Sequence, residues 1–290
     1  MNEADFCEFS TEDLTPWVAQ MSAWLHANDV NQRPVTISFH RATADEIWRL
    51  PTIDIIQLHE YEQRDFASVL GGPTIAKLSQ TFGKPVMVGE FGWIAEVMRQ
   101  LDDSGIHLHD ALWASLMGRA VGSALIWYWD LYVHPNQLER HFRPLAMFWH
   151  GEPLASRMQP LDLSLSDGNL AGWGIGSRQR AYFWIKNRSH NIDEYIAYRC
   201  ELAKQRLRVA RGQTAVPVRY PPRLVRSATI TLRGLDWVGR YRLEWWDPYQ
   251  GRLLARTVNA ASWGTLTAAV PELTFDLAGK LIKLQWWERS

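Results

Sequence analysis

Apolar residues recur at two different spacings in the two halves of the chain. From Thr11 to Asn28, Trp17, Met21, Trp24 and Leu25 keep the helical period, with Ser10 or Thr11 placed as a cap, so a helix is expected there. "RPVTISFH" then reads as a strand ending in His40, "ADEIWRL" as a short helix, and "TIDIIQLHEY" as a strand ending near His59 and Tyr61. Residues 63–82 hold helix after or around a "GGP" break. In "KPVMVGEFGW", Pro85 opens a run of strand formers in which Val86 and Val88 share a face, and strict alternation carries Glu90 onto that face. "HDALWASLMGRA", from His109, is helical, and "GSALIWYWD" is a strand ending in Trp127, Tyr128, Trp129 and Asp130. Four such repeats predict parallel strands with crossover helices, as in a doubly wound sheet or a (β/α)8 barrel.

Past about Pro160 the pattern shortens. "RAYFWIKNR", "ATITLRGL", "GRYRLEWWDPYQGRLLARTVN", "GTLTAAV" and "GKLIKLQWWERS" are strand-like runs between turn signals, which predicts an antiparallel sandwich. Trp245 and Trp246 are adjacent, so in a strand they face opposite sides and one is expected to be buried. Residues 187–226 read as an insertion containing one helix, and "GWGIGS" at 172–177 as a turn.

Charge and composition remove several functions. The 290 residues carry 31 basic and 31 acidic side chains, so there is no electrostatic footprint for a nucleic-acid partner. No apolar run reaches the roughly 18 residues of a membrane helix. Cys7 and Cys200 have neither metal nor disulfide spacing and read as ordinary thiols. His107 and His109 lack a third metal ligand at a suitable spacing, which leaves a helix-start or surface role. There is no nucleophile elbow and no phosphate-cradling glycine loop. Sixteen tryptophans remain, and their flat apolar faces suit sugar rings as well as cores. The predicted strand ends gather His40, His59, Tyr61, Glu90, Trp127 and Trp129, and in a barrel such ends meet at one face. Gly89 and Gly92 allow close backbone approach there, and Phe91 with Trp93 are placed to wall the Glu90 carboxylate. Glu60 should face away.

Carboxylate chemistry on a sugar needs a second acid, and "MNE" supplies one. The order Asn-Glu, long helix, strand, His-x-Tyr, Gly-Glu-Phe-Gly and a Trp-bearing strand resembles the second half of clan A retaining glycoside hydrolases, most closely the family 5-like cellulases and mannanases. The resemblance implies the end of strand 4 and then strands 5 to 8 of a (β/α)8 barrel over residues 1–158. An accessory β-sandwich would follow over 159–290. It implies Glu3 as acid/base, Glu90 as nucleophile, Asn2 on the sugar 2-hydroxyl, Tyr61 and His59 beside Glu90, and Trp127 as a platform, with no cofactor and a β-linked glycan as substrate. The implied carboxyl separation of Glu3 and Glu90 is about 5 to 5.5 Å. A whole barrel takes roughly 250 residues, so the expectation is a fragment with an open edge. Such a fragment would self-associate, and a loosely anchored Glu3 would make it a poor catalyst. Two rival expectations stand beside this one: a carbohydrate-binding or scaffold protein that keeps the aromatics but not the chemistry, and a doubly wound sheet with an unrelated carboxylate site and a switch in strand order.

Overall fold

The computed structural model describes residues 2–6, 10–40, 44–153, 158–220 and 222–285; Cys7 and the run from Trp286 lie outside them. The first helix, α1 (Thr11–Asn28), starts in a capping box: the Ser10 side chain accepts the Asp13 N–H and the Asp13 carboxylate accepts the Ser10 N–H. Its buried face is Leu14, Val18 and Ser22, so the Trp17, Trp24 and Leu25 stripe is turned to solvent. The stripe has the right period but is not the packing face.

Three strands follow, β1 (Thr36–Phe39), β2 (Ile55–Tyr61) and β3 (Val86–Gly92), with α2 (Asp45–Trp48), α3 (Phe66–Gly71) and α4 (Pro73–Phe82) between them. They pair in parallel in the order β1-β2-β3, without the reversal of order that a doubly wound site requires. One face, Ile37, Phe39, Ile56, Leu58, Val86 and Val88, is buried in the core. Pairing of Ser38 with Gln57 puts Ser38, Gln57 and, by alternation, His59 and Tyr61 on the other face.

After α5 (Ala95–Leu101) and α6 (Ile106–Met117), residues 121–127 run alongside β3. Val121 and Leu125 donate to the Val86 and Val88 carbonyls, and the Trp127 N–H reaches Phe91. Only Ile126 forms a regular bridge, parallel to Phe91. The expected strand stops there, because Trp129–Val133 turns into a π-helix that buries Tyr132 and lets its hydroxyl donate to Asp102 at 2.6 Å. The last helix of this half is α7 (Phe142–Trp149).

The second half is antiparallel. A three-stranded sheet, β11 (Leu266–Ala269), β8 (Thr229–Leu232) and β5 (Leu163–Leu165), shares one core with a six-stranded sheet. That larger sheet runs β10 (Arg252–Ser262), β9 (Val238–Asp247), β12 (Asp276–Lys283), β7 (Arg180–Asn187), β6 (Leu170–Gly176) and β4 (Gln159–Pro160). The stretch expected to be a turn, 172–177, lies largely within β6. The insertion after β7 contains α8 (Ile192–Ala210). Trp245 is buried between the two sheets, whereas Trp246 faces the other way, onto the core of the first half.

The two halves meet across α6, which is buried along its whole length and packs on α3, β6 and β7. His107 and His109 sit at its start, as expected, but inside the molecule. The imidazole chain can be read atom by atom. The His141 Nε2–H donates to the Ser104 carbonyl at 2.9 Å, which leaves its Nδ1 to accept from His109 Nδ1 at 3.1 Å. His109 Nε2 then faces Asp276 Oδ2 at 2.7 Å and accepts a hydrogen bond from the protonated carboxyl. Burial pushes the Asp276 carboxyl up to about 7 and holds His109 down to about 3, consistent with a neutral acid–imidazole pair. Lys186 and Asp110 form an ion pair beside it.

A group raised in the folded state contributes stability that is complete below its unfolded pKa of about 3.9 and is lost as pH rises toward about 7. Asp276→Asn should therefore gain in Tm relative to the natural protein as pH rises from 4 to 8. Paired thermal melts across that range measure it, and a constant offset would contradict the assignment.

Candidate active site

The polar face of the parallel sheet is built by a one-residue irregularity. Leu58 pairs with Val88, but the next pair is His59 with Glu90, so Gly89 is skipped. The β-bulge breaks the alternation. Val86, Val88 and Phe91 point into the core, while Glu90 is turned onto the opposite face with His59. Strict alternation put Glu90 in line with Val86 and Val88, and the structure corrects that. The skipped residue has to be a glycine, because the Gln57 side chain lies over it where a Cβ would overlap. Phe91 consequently packs edge-on against Phe66, and Trp93 packs on His107 with Arg64 over its ring. Neither walls the carboxylate.

Glu90 Oε2 accepts the Tyr61 hydroxyl at 2.5 Å and lies 3.2 Å from His59 Nδ1. Burial, and then the Glu90 carboxylate, push Tyr61 far above the usual phenol range, so it is a fixed donor. The same Nδ1 lies 2.9 Å from Glu3 Oε1. The His59 side chain is fully buried, with its Nε2 at 3.2 Å from the Gln57 amide nitrogen. An amide N–H donating to Nε2 leaves the imidazole hydrogen on Nδ1, where both carboxylates receive it. One oxygen each from Glu3 and Glu90 and the His59 nitrogen all lie within 4.8 Å of one another.

Glu3 arrives from outside the sheet. No strand is assigned to residues 2–6; a 3-10 turn, Ala4–Phe6, follows Glu3. The segment is tied to β1 nonetheless. The Glu3 N–H donates to Ser38 Oγ at 2.9 Å, Ser38 Oγ donates to Asn2 Oδ1 at 2.7 Å, and the His40 N–H donates to Asp5 at 3.0 Å. Glu3 itself has φ of 46°, a left-handed conformation unusual for this residue and of the kind that concentrates at functional sites. The expected loose anchoring of Glu3 gives way to this set of bonds.

His40 stacks on Tyr61 with ring centroids 5.7 Å apart, and its Nδ1 lies 4.0 Å from Glu3 Oε1. Trp127 and Trp129 are 53% and 67% exposed. Trp127 follows the bridge to β3, whereas Trp129 belongs to the π-helix and not to a strand end. Glu60 points away from the site and burial raises its pKa. Thus Glu3, His59, Tyr61 and Glu90 come together, with His40 and Asn2 at their edge.

Sequence reasoning missed Gln57, Ser38 and Tyr128. The first two stand two residues before His59 and His40, so the period of two could have found them. Tyr128 shows only in space: a Cβ on Gly92 would lie 2.6 Å from its ring and 3.4 Å from that of Tyr61. Gly92 is what lets these two rings close over the strand end.

No family profile and no curated protein matches this sequence. Solved structures overlap it loosely. An endoxylanase of glycoside hydrolase family 30 from Clostridium papyrosolvens is 11% identical with a TM-score of 0.48, covering 98% of this chain and 64% of the endoxylanase. A glucosidase from Croceicoccus marinus is 11% identical with a TM-score of 0.47, covering 98% of this chain and 68% of the glucosidase. A family 44 xyloglucanase from Paenibacillus polymyxa is 10% identical with a TM-score of 0.47, covering 96% and 62%. The chain thus spans less than two thirds of the endoxylanase and the xyloglucanase. Overlaps this loose carry no assignment, and the functional reading rests on the site's own geometry.

Proposed function

We propose that the chain is part of a glycoside hydrolase that cleaves β-linked glycans with retention of configuration. The observation that carries this reading is the convergence of Glu3 and Glu90 on one imidazole N–H, with an oxygen of each within 4.8 Å. Retaining enzymes hold their carboxyl groups about 5 to 5.5 Å apart, whereas inverting ones need roughly 6.5 to 9.5 Å to admit a water between carboxylate and sugar. In this reading β1, β2, β3 and the 121–127 run are successive strands of a (β/α)8 barrel within residues 1–158, and residues 159–290 are an accessory β-sandwich. The sequential parallel order and the polar inner face support it.

Glu90 is the nucleophile. Tyr61 and His59 bind its Oε2, which leaves Oε1 to attack the anomeric carbon as the glycosidic bond breaks. Glu3 protonates the departing oxygen, then takes a proton from the water that releases the sugar. Two inversions at one carbon retain its configuration. Asn2 and His40 line the sugar side, Trp127 stacks against a ring, and Trp129 contributes further out. No cofactor enters these steps.

Proton NMR of the first-formed anomer from an aryl β-glycoside tests the mechanism: the β-anomer is expected, and the α-anomer would exclude it. A non-catalytic carbohydrate-binding protein would use the exposed tryptophans alone, and would bind glycans without turnover. Tyr61→Phe removes a hydrogen bond to a carboxylate, worth about 1.5 to 3 kcal/mol. It should lower kcat by roughly 10- to 100-fold, with KM little changed, as steady-state kinetics would show.

A further inference from the structure

Three donor atoms facing one another at this spacing suit a second kind of occupant. We infer that Glu3, His59 and Glu90 also form a binding site for a divalent transition-metal ion of the zinc class, and that its occupation shuts off the carboxylate chemistry. The inhibitory half of this inference rests on the glycosidase reading; the binding half rests on geometry alone.

Ligands of a tetrahedral ion held at about 2.0 to 2.2 Å stand roughly 3.3 to 3.6 Å apart. Glu3 Oε1 and Glu90 Oε2 are 2.9 and 3.2 Å from His59 Nδ1, close to that spacing, and the three atoms lie within 4.8 Å of one another, so small side-chain rotations of the two carboxylates bring them around one ion. A fourth donor stands close by. His40 Nδ1 is buried without a hydrogen-bond partner and lies 4.0 Å from Glu3 Oε1. An orphaned buried imidazole nitrogen is costly where it is, and a metal ion would give it a ligand. Two carboxylates and one or two imidazoles favour zinc, cobalt or manganese over calcium and magnesium, which prefer all-oxygen shells.

The surrounding bonds allow the change of tautomer that binding demands. His59 Nδ1 must lose its hydrogen to coordinate, and Nε2 gains one, so the ring stays neutral and the proton count is unchanged. Nε2–H then needs an acceptor. Gln57, 3.2 Å away, supplies it by turning its amide so that the oxygen replaces the nitrogen. Tyr61 meanwhile keeps Glu90 oriented through its hydroxyl. These are the outer bonds that orient metal ligands in proteins.

The experiment titrates the EDTA-treated full chain at pH 7.5 with Zn²⁺ by calorimetry and with Co²⁺ by visible absorption. Aryl β-glycoside hydrolysis is assayed in parallel, in EDTA and in Zn²⁺. One equivalent should bind. Affinity should fall about 100-fold or more in Glu3→Gln and in His59→Gln, each checked for folding by its melting curve. His134→Ala, which alters the exposed His134–Glu139 pair, should leave it unchanged. Hydrolysis in EDTA that is lost with one equivalent of Zn²⁺ supports both the metal site and the glycosidase reading. Site-dependent binding without hydrolysis in EDTA keeps the metal site and removes the glycosidase reading. Binding that is absent, or equally tight in Glu3→Gln and His59→Gln, overturns the inference, and hydrolysis then stands or falls separately.

Discussion

Replacing Glu90 with Gln should abolish turnover of an aryl β-glycoside, by roughly 10⁴- to 10⁶-fold in kcat, because loss of a covalent nucleophile cannot be offset by the groups around it. The amide keeps the size of the carboxylate and still accepts from Tyr61, which now donates to it at 2.5 Å, so folding should be preserved. A smaller substitution gives a sharper result. Glu90→Gly opens space beside Tyr61 and His59, and added azide should attack the anomeric carbon from that side. With an activated substrate the product should be the α-glycosyl azide, formed by a single inversion. Kinetics and NMR of the azide product together test the role. Turnover by Glu90→Gln within tenfold of the natural protein would exclude Glu90 as nucleophile.

Glu3→Gln should separate substrates by leaving group. The general acid step is worth roughly 10² to 10⁴ in rate, and a glycoside with a poor alkyl leaving group needs all of it. A dinitrophenyl glycoside departs without protonation, so its first step should be nearly unaffected and a glycosyl-enzyme should accumulate as a burst. Release of that intermediate still needs Glu3 as base, and azide should restore it while giving the β-glycosyl azide. A uniform loss for both substrates would mean that Glu3 positions His59 through their 2.9 Å contact and does not transfer a proton. The bonds from Ser38 to Asn2 and to the Glu3 N–H add a further check: Ser38→Ala should reproduce part of the Glu3→Gln profile if they hold the acid in place.

Much of this arrangement was already legible in the chain. The spacing of apolar residues gave the alternating strands and helices of the first half and the short antiparallel strands of the second, since period depends only on local geometry. His59 and Tyr61, two apart on one strand, share a face for the same reason, and both reach Glu90. Other features needed the third dimension. The direction of Glu90 depends on the bulge at Gly89, a glycine whose Cβ position is filled by the Gln57 side chain of the neighbouring strand; alternation along a single strand cannot carry this information. Period gave α1 its helix but not its packing face, because which stripe is buried depends on what lies against it. His107 and His109 read as helix-start or surface groups; they do start α6, but they are buried inside the molecule, with Asp276 of the distant β12 facing His109. Trp129 lies outside the expected strand, in a π-helix that buries Tyr132, whose hydroxyl donates to the distant Asp102. Local periodicity therefore determined most of the helices and strands and the shared face of His59 and Tyr61, while contacts between distant segments decided which face meets the core, where a strand ends and where the carboxylates point.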